Sequence, residues 1–264
     1  MLEIILLSVA FIGSLAAGLW DLKTTEIPDE VPTLMAALGI FIWFVSDISI
    51  LALSLAFGTA FLLFGWLLYK AGQWGGGDAK LLSATGFLLP SIGGQLFALN
   101  FLFNLFIVGL GYMVVYSLAL GILNRNVFTA FWSSLAKDKP VLASTGLVAI
   151  LLIATIITQS YLEFPSMVWM LVLVFFLLFF WKYSKTIEEK VFKKKIPVSQ
   201  LRVGDVIVES KQWDGITEEE LKKIKKSGKK FVVIKEGVRF GLVFFITIIV
   251  TLLFGNLIFS FVGL

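Results

Sequence analysis

The chain of 264 residues contains no cysteine and no histidine. Those two absences exclude disulfides, thiol nucleophiles, imidazole bases and the commonest zinc ligands together. Acid–base chemistry is left to carboxylates, lysine or tyrosine, and nothing calls for a metal or cofactor. Charge is scarce as well: 15% of residues are Asp, Glu, Lys or Arg, against 58% hydrophobic. A water-soluble fold has no means of hiding that much apolar surface. The apolar residues fall in continuous runs near the ~20 residues that cross a bilayer as a helix, without the alternation of barrel strands. The fold class read from this is an all-α polytopic membrane bundle of six to eight transmembrane helices, with the lipid bilayer as partner. The net charge of +4 is explained by membrane topology, and nothing points to nucleic acid. The first run starts almost at Met1 without a basic leader or small-residue cleavage site, so it reads as a retained span.

Candidate spans are Leu2–Trp20, Val31–Val45, Ile48–Tyr69, Ala79–Ile92, Gln95–Leu123, Val141–Tyr161, Ser166–Lys182 and Gly237–Leu264. The fourth is short and holds Gly86 and Pro90; it either crosses partway or meets its neighbour at a turn near Ser91–Gly94. Lysine and arginine segregate sharply across this division. Loops after the first, third and fifth spans carry Lys23; Lys70 and Lys80; and Arg125, Lys137 and Lys139. The segment from Lys182 to Arg239 carries all the rest of the chain's 22, and the alternate loops around Asp47, Ser91 and Glu163 carry none. The positive-inside rule then predicts a multi-pass protein of the cell membrane, with its amino terminus outside and the loops at 21–30 and 70–80 in the cytoplasm.

Ser184–Glu236 is the sizeable polar region, and at about 50 residues it is too small for a large core of its own. Ile196–Glu209 reads as two short strands around a Val203-Gly204-Asp205 turn. Thr217-Glu-Glu-Glu220 is a capping box opening a helix that Gly228 closes, and Lys229–Ile234 returns as a strand. The expected division is a catalytic bundle over 1–183, a small cytoplasmic α+β domain over 184–236 and a final transmembrane helix over 237–264. The lysine-rich faces of the small domain read as solvated surface near anionic headgroups.

Two segments depart from the pattern of apolar helix and basic loop. In Gly18-Leu-Trp-Asp21-Leu-Lys-Thr-Thr-Glu26-Ile-Pro28-Asp29, Asp21 stands at the cytoplasmic end of the first span. In Gly75-Gly76-Gly77-Asp78-Ala-Lys80, Asp78 stands at the cytoplasmic start of the fourth. Carboxylates beside an apolar bundle are expensive and are kept for function or for an ion pair. Two aspartates sharing one proton meet the needs of peptide hydrolysis without histidine, cysteine or metal: one activates water and the other hydrogen-bonds the scissile carbonyl. Gly75, Gly76 and Gly77 would admit a substrate backbone closely and act as a hinge. Plainer roles stand beside these. Asp78 fits an N-cap, Asp21 fits an ion pair with Lys23, Lys70 or Lys80, and Glu26 and Asp29 fit a solvated loop. Lys80 fits either a bias on the charge of the pair or an anchor for a lipid phosphate. Trp20, Trp74 and Trp181 fit interfacial belts.

Gly75-Gly-Gly-Asp78 with Ala-Lys80-Leu resembles the GxGD signature of the type IV prepilin and preflagellin peptidases, and Asp21 with its following loop resembles the first catalytic aspartate of that family. The similarity covers residues 1–123, and the Lys182–Glu236 segment resembles a carboxy-terminal module of archaeal members. The resemblance implies an aspartic endopeptidase that cuts the class III signal peptide from prepilin or preflagellin substrates at the cytoplasmic membrane face. Absence of cysteine removes the zinc-binding insertion found in many bacterial members, which also methylate the new amino terminus, and favours the archaeal type. Two other readings remain at this stage: a presenilin-like GxGD intramembrane protease, whose Tyr-Asp and Pro-Ala-Leu motifs do not occur here, and a transporter or scaffold in which both aspartates bind a cation or brace the bundle.

Overall fold

The computed structural model describes residues 1–124, 126–162, 165–209 and 215–262. Arg125 and Glu163, which entered the charge argument, lie outside the described residues. The chain forms a polytopic helical bundle with a small α+β part. Its first five helices are α1 (Leu2–Thr24), α2 (Glu30–Ser46), α3 (Ile48–Lys70), α4 (Gly76–Leu88) and α5 (Phe97–Leu123). Then follow α6 (Asn126–Lys137), α7 (Lys139–Leu162), α8 (Pro165–Ile187), α9 (Glu218–Lys226), α10 (Gly241–Phe254) and α11 (Leu257–Val262), with strands β1 (Lys193–Pro197) and β2 (Phe231–Lys235). Among the described residues, four helices are long and apolar enough to cross a bilayer: Leu2–Thr24, Ile48–Lys70, Phe97–Leu123 and Met170–Phe192. Shorter apolar helices, including α2 and α10, pack with them.

The fold divides into two compact units, one of Met1–Tyr112 with Lys195–Leu264 and one of Met113–Lys194. In the first, α1 packs along α10, and α4 lies against α2 and α3. The approach of α4 is set by glycine: a Cβ on Gly39 of α2 would lie 2.7 Å from the Leu88 Cα, and one on Gly65 of α3 would lie 2.8 Å from the Ala79 Cα. At 13 residues, α4 is about 20 Å long, short of the ~30 Å hydrocarbon core. A helix ending inside a bundle leaves carbonyls without intrahelical partners. Here Ser54 Oγ donates to the Phe87 carbonyl at 2.5 Å and Trp43 Nε1 to the Leu88 carbonyl at 3.1 Å. The core around these elements includes Leu6, Leu81, Leu82, Phe101 and Phe244, all fully buried.

The apolar tract from Gly237 to Leu264, expected as one helix, is two. Gly255 takes a positive φ of 64° and ends α10, and α11 begins at Leu257. Buried Asn104 of α5 answers the groups this break exposes. Its Nδ2 donates to Gly255 O at 2.6 Å and to Thr251 Oγ1 at 3.0 Å, and its Oδ1 accepts the Leu257 N–H at 3.0 Å.

In the small α+β part, β1 pairs with β2. The first expected strand of the 196–209 region is shifted earlier, to Lys193–Pro197, and the second is reduced to an antiparallel bridge between Ile207 and Ile234. The capping box of α9 forms as read: Glu220 N–H donates to Thr217 Oγ1 and Thr217 N–H to Glu220 Oε2. Those Thr217 donors hold the Glu220 carboxyl below its usual range. Leu201, Ile216 and Ile234 form its small core. The second unit contains α6, which the sequence reading left as a loop. Its Val127, Phe131 and Leu135, spaced four apart, are buried on Tyr183 and Ile187 of α8, the stripe expected of an amphipathic helix.

The Asn104→Ala variant is expected to lose about 1–3 kcal/mol of stability, because it strands the Gly255 carbonyl and Leu257 amide away from water. The check is thermal unfolding of the purified protein in detergent, with the midpoint lowered relative to wild type.

Candidate active site

Asp21 lies in the last turn of α1, 6% exposed, and Thr25 ends the helix in the left-handed region at φ 64°. Its buried carboxylate needs a donor, and the donor comes from the far end of the sequence. The Gly241 N–H, at the start of α10, donates to Asp21 Oδ2 at 2.7 Å. That contact requires α1 and α10 to meet at glycine. A Cβ on Gly18 would lie 2.7 Å from the Leu242 Cα, and one on Gly241 would lie 3.0 Å from the Asp21 Cβ. The Arg239 guanidinium is within electrostatic reach of Asp21, and its carbonyl accepts the Tyr112 hydroxyl at 2.7 Å.

Asp78 occupies the third position of α4, one turn into the helix. The N-cap is Gly75, whose N–H donates to Asp78 Oδ2 at 3.3 Å. Asp78 is half-buried and the charge of Asp21 acts on it, so the two carboxylates share one neighbourhood, with no hydrogen bond between them. Asp21 forms no ion pair with Lys23, Lys70 or Lys80. Lys80 instead pairs with Asp29 at 2.6 Å, both side chains exposed, tying the α1–α2 loop to α4. Glu26 is exposed in that loop, and a Cβ on Gly204 of the α+β part would lie 3.1 Å from its Oε1.

The three glycines before Asp78 differ from one another. None takes a positive φ; the left-handed residue of this loop is Gly72, at 69°. Gly77 is held by contact, because its Cβ would lie 2.8 Å from the Ile27 Cβ, and Gly75 faces the Asp78 carboxylate. Gly76 has room, its nearest neighbour being Tyr69 at 3.9 Å. Trp74 is half-buried and packs at the start of α10, its ring tilted against Phe240 at 5.9 Å between centroids and edge-on to Phe244 at 6.2 Å. Trp20 and Trp181 are exposed as interfacial residues would be.

The sequence reading expected a helix over 237–264 but gave it no part in the site. The Gly241 amide and Arg239 both act on Asp21, yet a backbone amide has no side-chain signature. The available signal was Gly241 itself, a glycine at the mouth of an apolar helix.

Gly77→Ala is expected to cost about 1–3 kcal/mol through overpacking on Ile27, while Gly76→Ala is tolerated. Adding Ile27→Ala to Gly77→Ala should recover part of the loss relative to the Ile27→Ala single variant. Thermal unfolding of the four variants in one detergent checks this.

Comparison with curated proteins and with solved structures gave no match. A match to a family of known proteins runs over residues 8–135, a stretch that carries Asp21, the glycine run, Asp78 and Lys80. That segment, just under half of the chain, matches the type IV leader peptidase family, a family of proteases.

Proposed function

We propose that this protein is a membrane-embedded aspartic endopeptidase that removes the class III signal peptide from prepilin-like or preflagellin-like proteins at the cytoplasmic membrane face. The observation that supports the proposal is that Asp21 and Asp78, on separate helices, lie within electrostatic reach of one another in the segment that matches the leader peptidase family. In the proposed reaction the ionised aspartate takes a proton from water, whose oxygen attacks the scissile carbonyl. The protonated aspartate donates a hydrogen bond to the carbonyl oxygen as it becomes tetrahedral. Collapse breaks the C–N bond, and the proton taken from water goes to the leaving amine.

The Gly241 and Gly75 amides hold each carboxylate by one oxygen, which leaves the other oxygen of each for water or substrate. Gly75 and Gly77 serve the site through close approach rather than as a freely turning hinge. Exposed Glu26, in the loop that follows Asp21 and next to Gly204, offers negative charge to a basic leader, and the Lys80–Asp29 pair fixes the loop that presents it. Segregation of lysine and arginine supports the proposed orientation, with the amino terminus outside and the site and the 184–236 domain in the cytoplasm. Absence of cysteine supports an archaeal-type peptidase without the zinc-binding insertion.

Cleavage of a purified substrate with a short basic leader before its apolar helix tests the proposal. Asp21→Asn and Asp78→Asn are each expected to lower turnover by about 10³-fold or more, and the double variant no further, as groups acting as a unit do. Near-normal turnover in either single variant would remove the dyad. Cleavage inside the apolar helix rather than at its junction with the leader would favour the presenilin-like reading.

Gly18→Ala forces α1 away from α10 and moves Asp21, and misplacement on the order of 1 Å can cost about 10²-fold in rate. Turnover should therefore fall by roughly tenfold or more in a variant that still inserts into membranes, as measured by cleavage per unit of membrane-extracted protein.

A further inference from the structure

The second unit holds a cavity that peptide hydrolysis does not use. It has a volume of about 680 Å³ and lies where α6, the start of α7 and the end of α8 meet. Lys137, Lys139, Lys182 and Lys190 line it with the hydroxyls of Ser133 and Ser134, and the acids facing it are Asp138 and Glu189. Four cations against two anions leave the cavity positive.

That charge is unevenly committed. Lys182 is buried and hydrogen-bonded to Asp138 Oδ2, while Asp138 Oδ1 accepts the Val141 N–H. The Lys182 hydrogen bond holds the Asp138 carboxyl below its ordinary range, so this acid is matched and the pair is a structural brace. Among the described residues, no ion pair engages Lys137, Lys139 or Lys190. Their side chains are exposed at the cavity rim, three positive charges against the single remaining acid of the lining, Glu189.

The surroundings decide which anion fits. Trp181 is 54% exposed and carries Lys185 Nζ 5.7 Å above its ring, and Trp132 of α6 is 58% exposed. Tryptophan beside lysine marks the headgroup level of a bilayer. Immediately along the same helices, Leu142 on α7 and Leu173 and Leu177 on α8 are exposed apolar residues. A soluble phosphate would meet the lysines but make no use of that apolar surface. A phospholipid uses both.

We propose that the cavity lined by Lys137, Lys139 and Lys190 binds the phosphodiester headgroup of an anionic phospholipid, with its acyl chains along the exposed apolar faces of α7 and α8. Basic pockets between helices at a membrane face are the sites at which anionic headgroups are held. Binding here would fasten α6 to the bilayer surface and give the α7–α8 hairpin a role separate from catalysis. The proposal stands independently of the protease reading.

The test uses the full chain in nanodiscs of phosphatidylcholine containing a minority of phosphatidylglycerol, with lipid retained through detergent extraction read by native mass spectrometry. Wild type should retain phosphatidylglycerol over phosphatidylcholine. The triple variant Lys137→Gln, Lys139→Gln, Lys190→Gln should lose about tenfold to a hundredfold of that preference, on roughly one headgroup interaction per lysine. The corresponding triple Lys→Arg variant should keep it. A control with the same charge loss on α9, Lys222→Gln, Lys225→Gln, Lys226→Gln, should also keep it. Equal loss in the α9 control, or undiminished retention in the cavity triple, overturns the proposal. Displacement of retained phosphatidylglycerol by soluble glycerol phosphate would overturn the lipid assignment in favour of a site for free phosphate.

Discussion

One hydrogen bond organises the candidate active site: the Gly241 amide to Asp21 Oδ2, across 220 residues of sequence. A carboxylate buried in an apolar bundle costs several kcal/mol unless it is paired or hydrogen-bonded. Among the described residues no lysine pairs with Asp21, so the burden falls on the first amide of α10, at the positive end of a helix. The rest follows from that demand. The two helices must touch, which requires Gly18 and Gly241 to lack side chains. The start of α10 must be fixed, and Tyr112 does this through the Arg239 carbonyl, while Trp74 packs the same helix against the loop that leads to Asp78. Its other end is fixed as well, by Asn104 at the Gly255 break.

Asp78 is held by the same device on a shorter path, accepting an amide at the start of its own helix. Two carboxylates within electrostatic reach of one another are thus each steadied by a backbone donor at a helix start. α4 brings Asp78 to this point by ending early, its last carbonyls answered by Ser54 and Trp43 rather than by another helical turn.

The spans and the special residues were legible because they rest on side-chain chemistry. Apolar runs, segregated lysines, and aspartates where lysine or leucine would otherwise stand are all visible one residue at a time. The helix starts of α2, α3 and α7 fall within a few residues of expectation for the same reason. The contribution of α10 was not legible, because glycine and an amide hydrogen carry no chemical label until the helix beside them is known. The Gly75–Gly77 run drew attention as a hinge, yet the left-handed turn belongs to Gly72, and what restricts Gly77 is Ile27 across a loop. The helix α6 hid between Asn126 and Lys137 because its apolar stripe of Val127, Phe131 and Leu135 is interrupted by serine, threonine and lysine. It reads as a loop until α8 supplies a surface for the stripe to cover.

The account depends most on Asp21 and Asp78 facing one another in the membrane-embedded protein, and the natural lack of cysteine makes that directly measurable. Replacing both by cysteine and treating membranes with a short bifunctional thiol reagent is expected to link α1 to α4, seen as a peptide pair after proteolysis. A control pair at Asp21 and Asp47, the latter between α2 and α3, should remain unlinked. Failure of the Asp21–Asp78 pair to link, under conditions in which each single cysteine is labelled by a monofunctional reagent, would contradict the site described above.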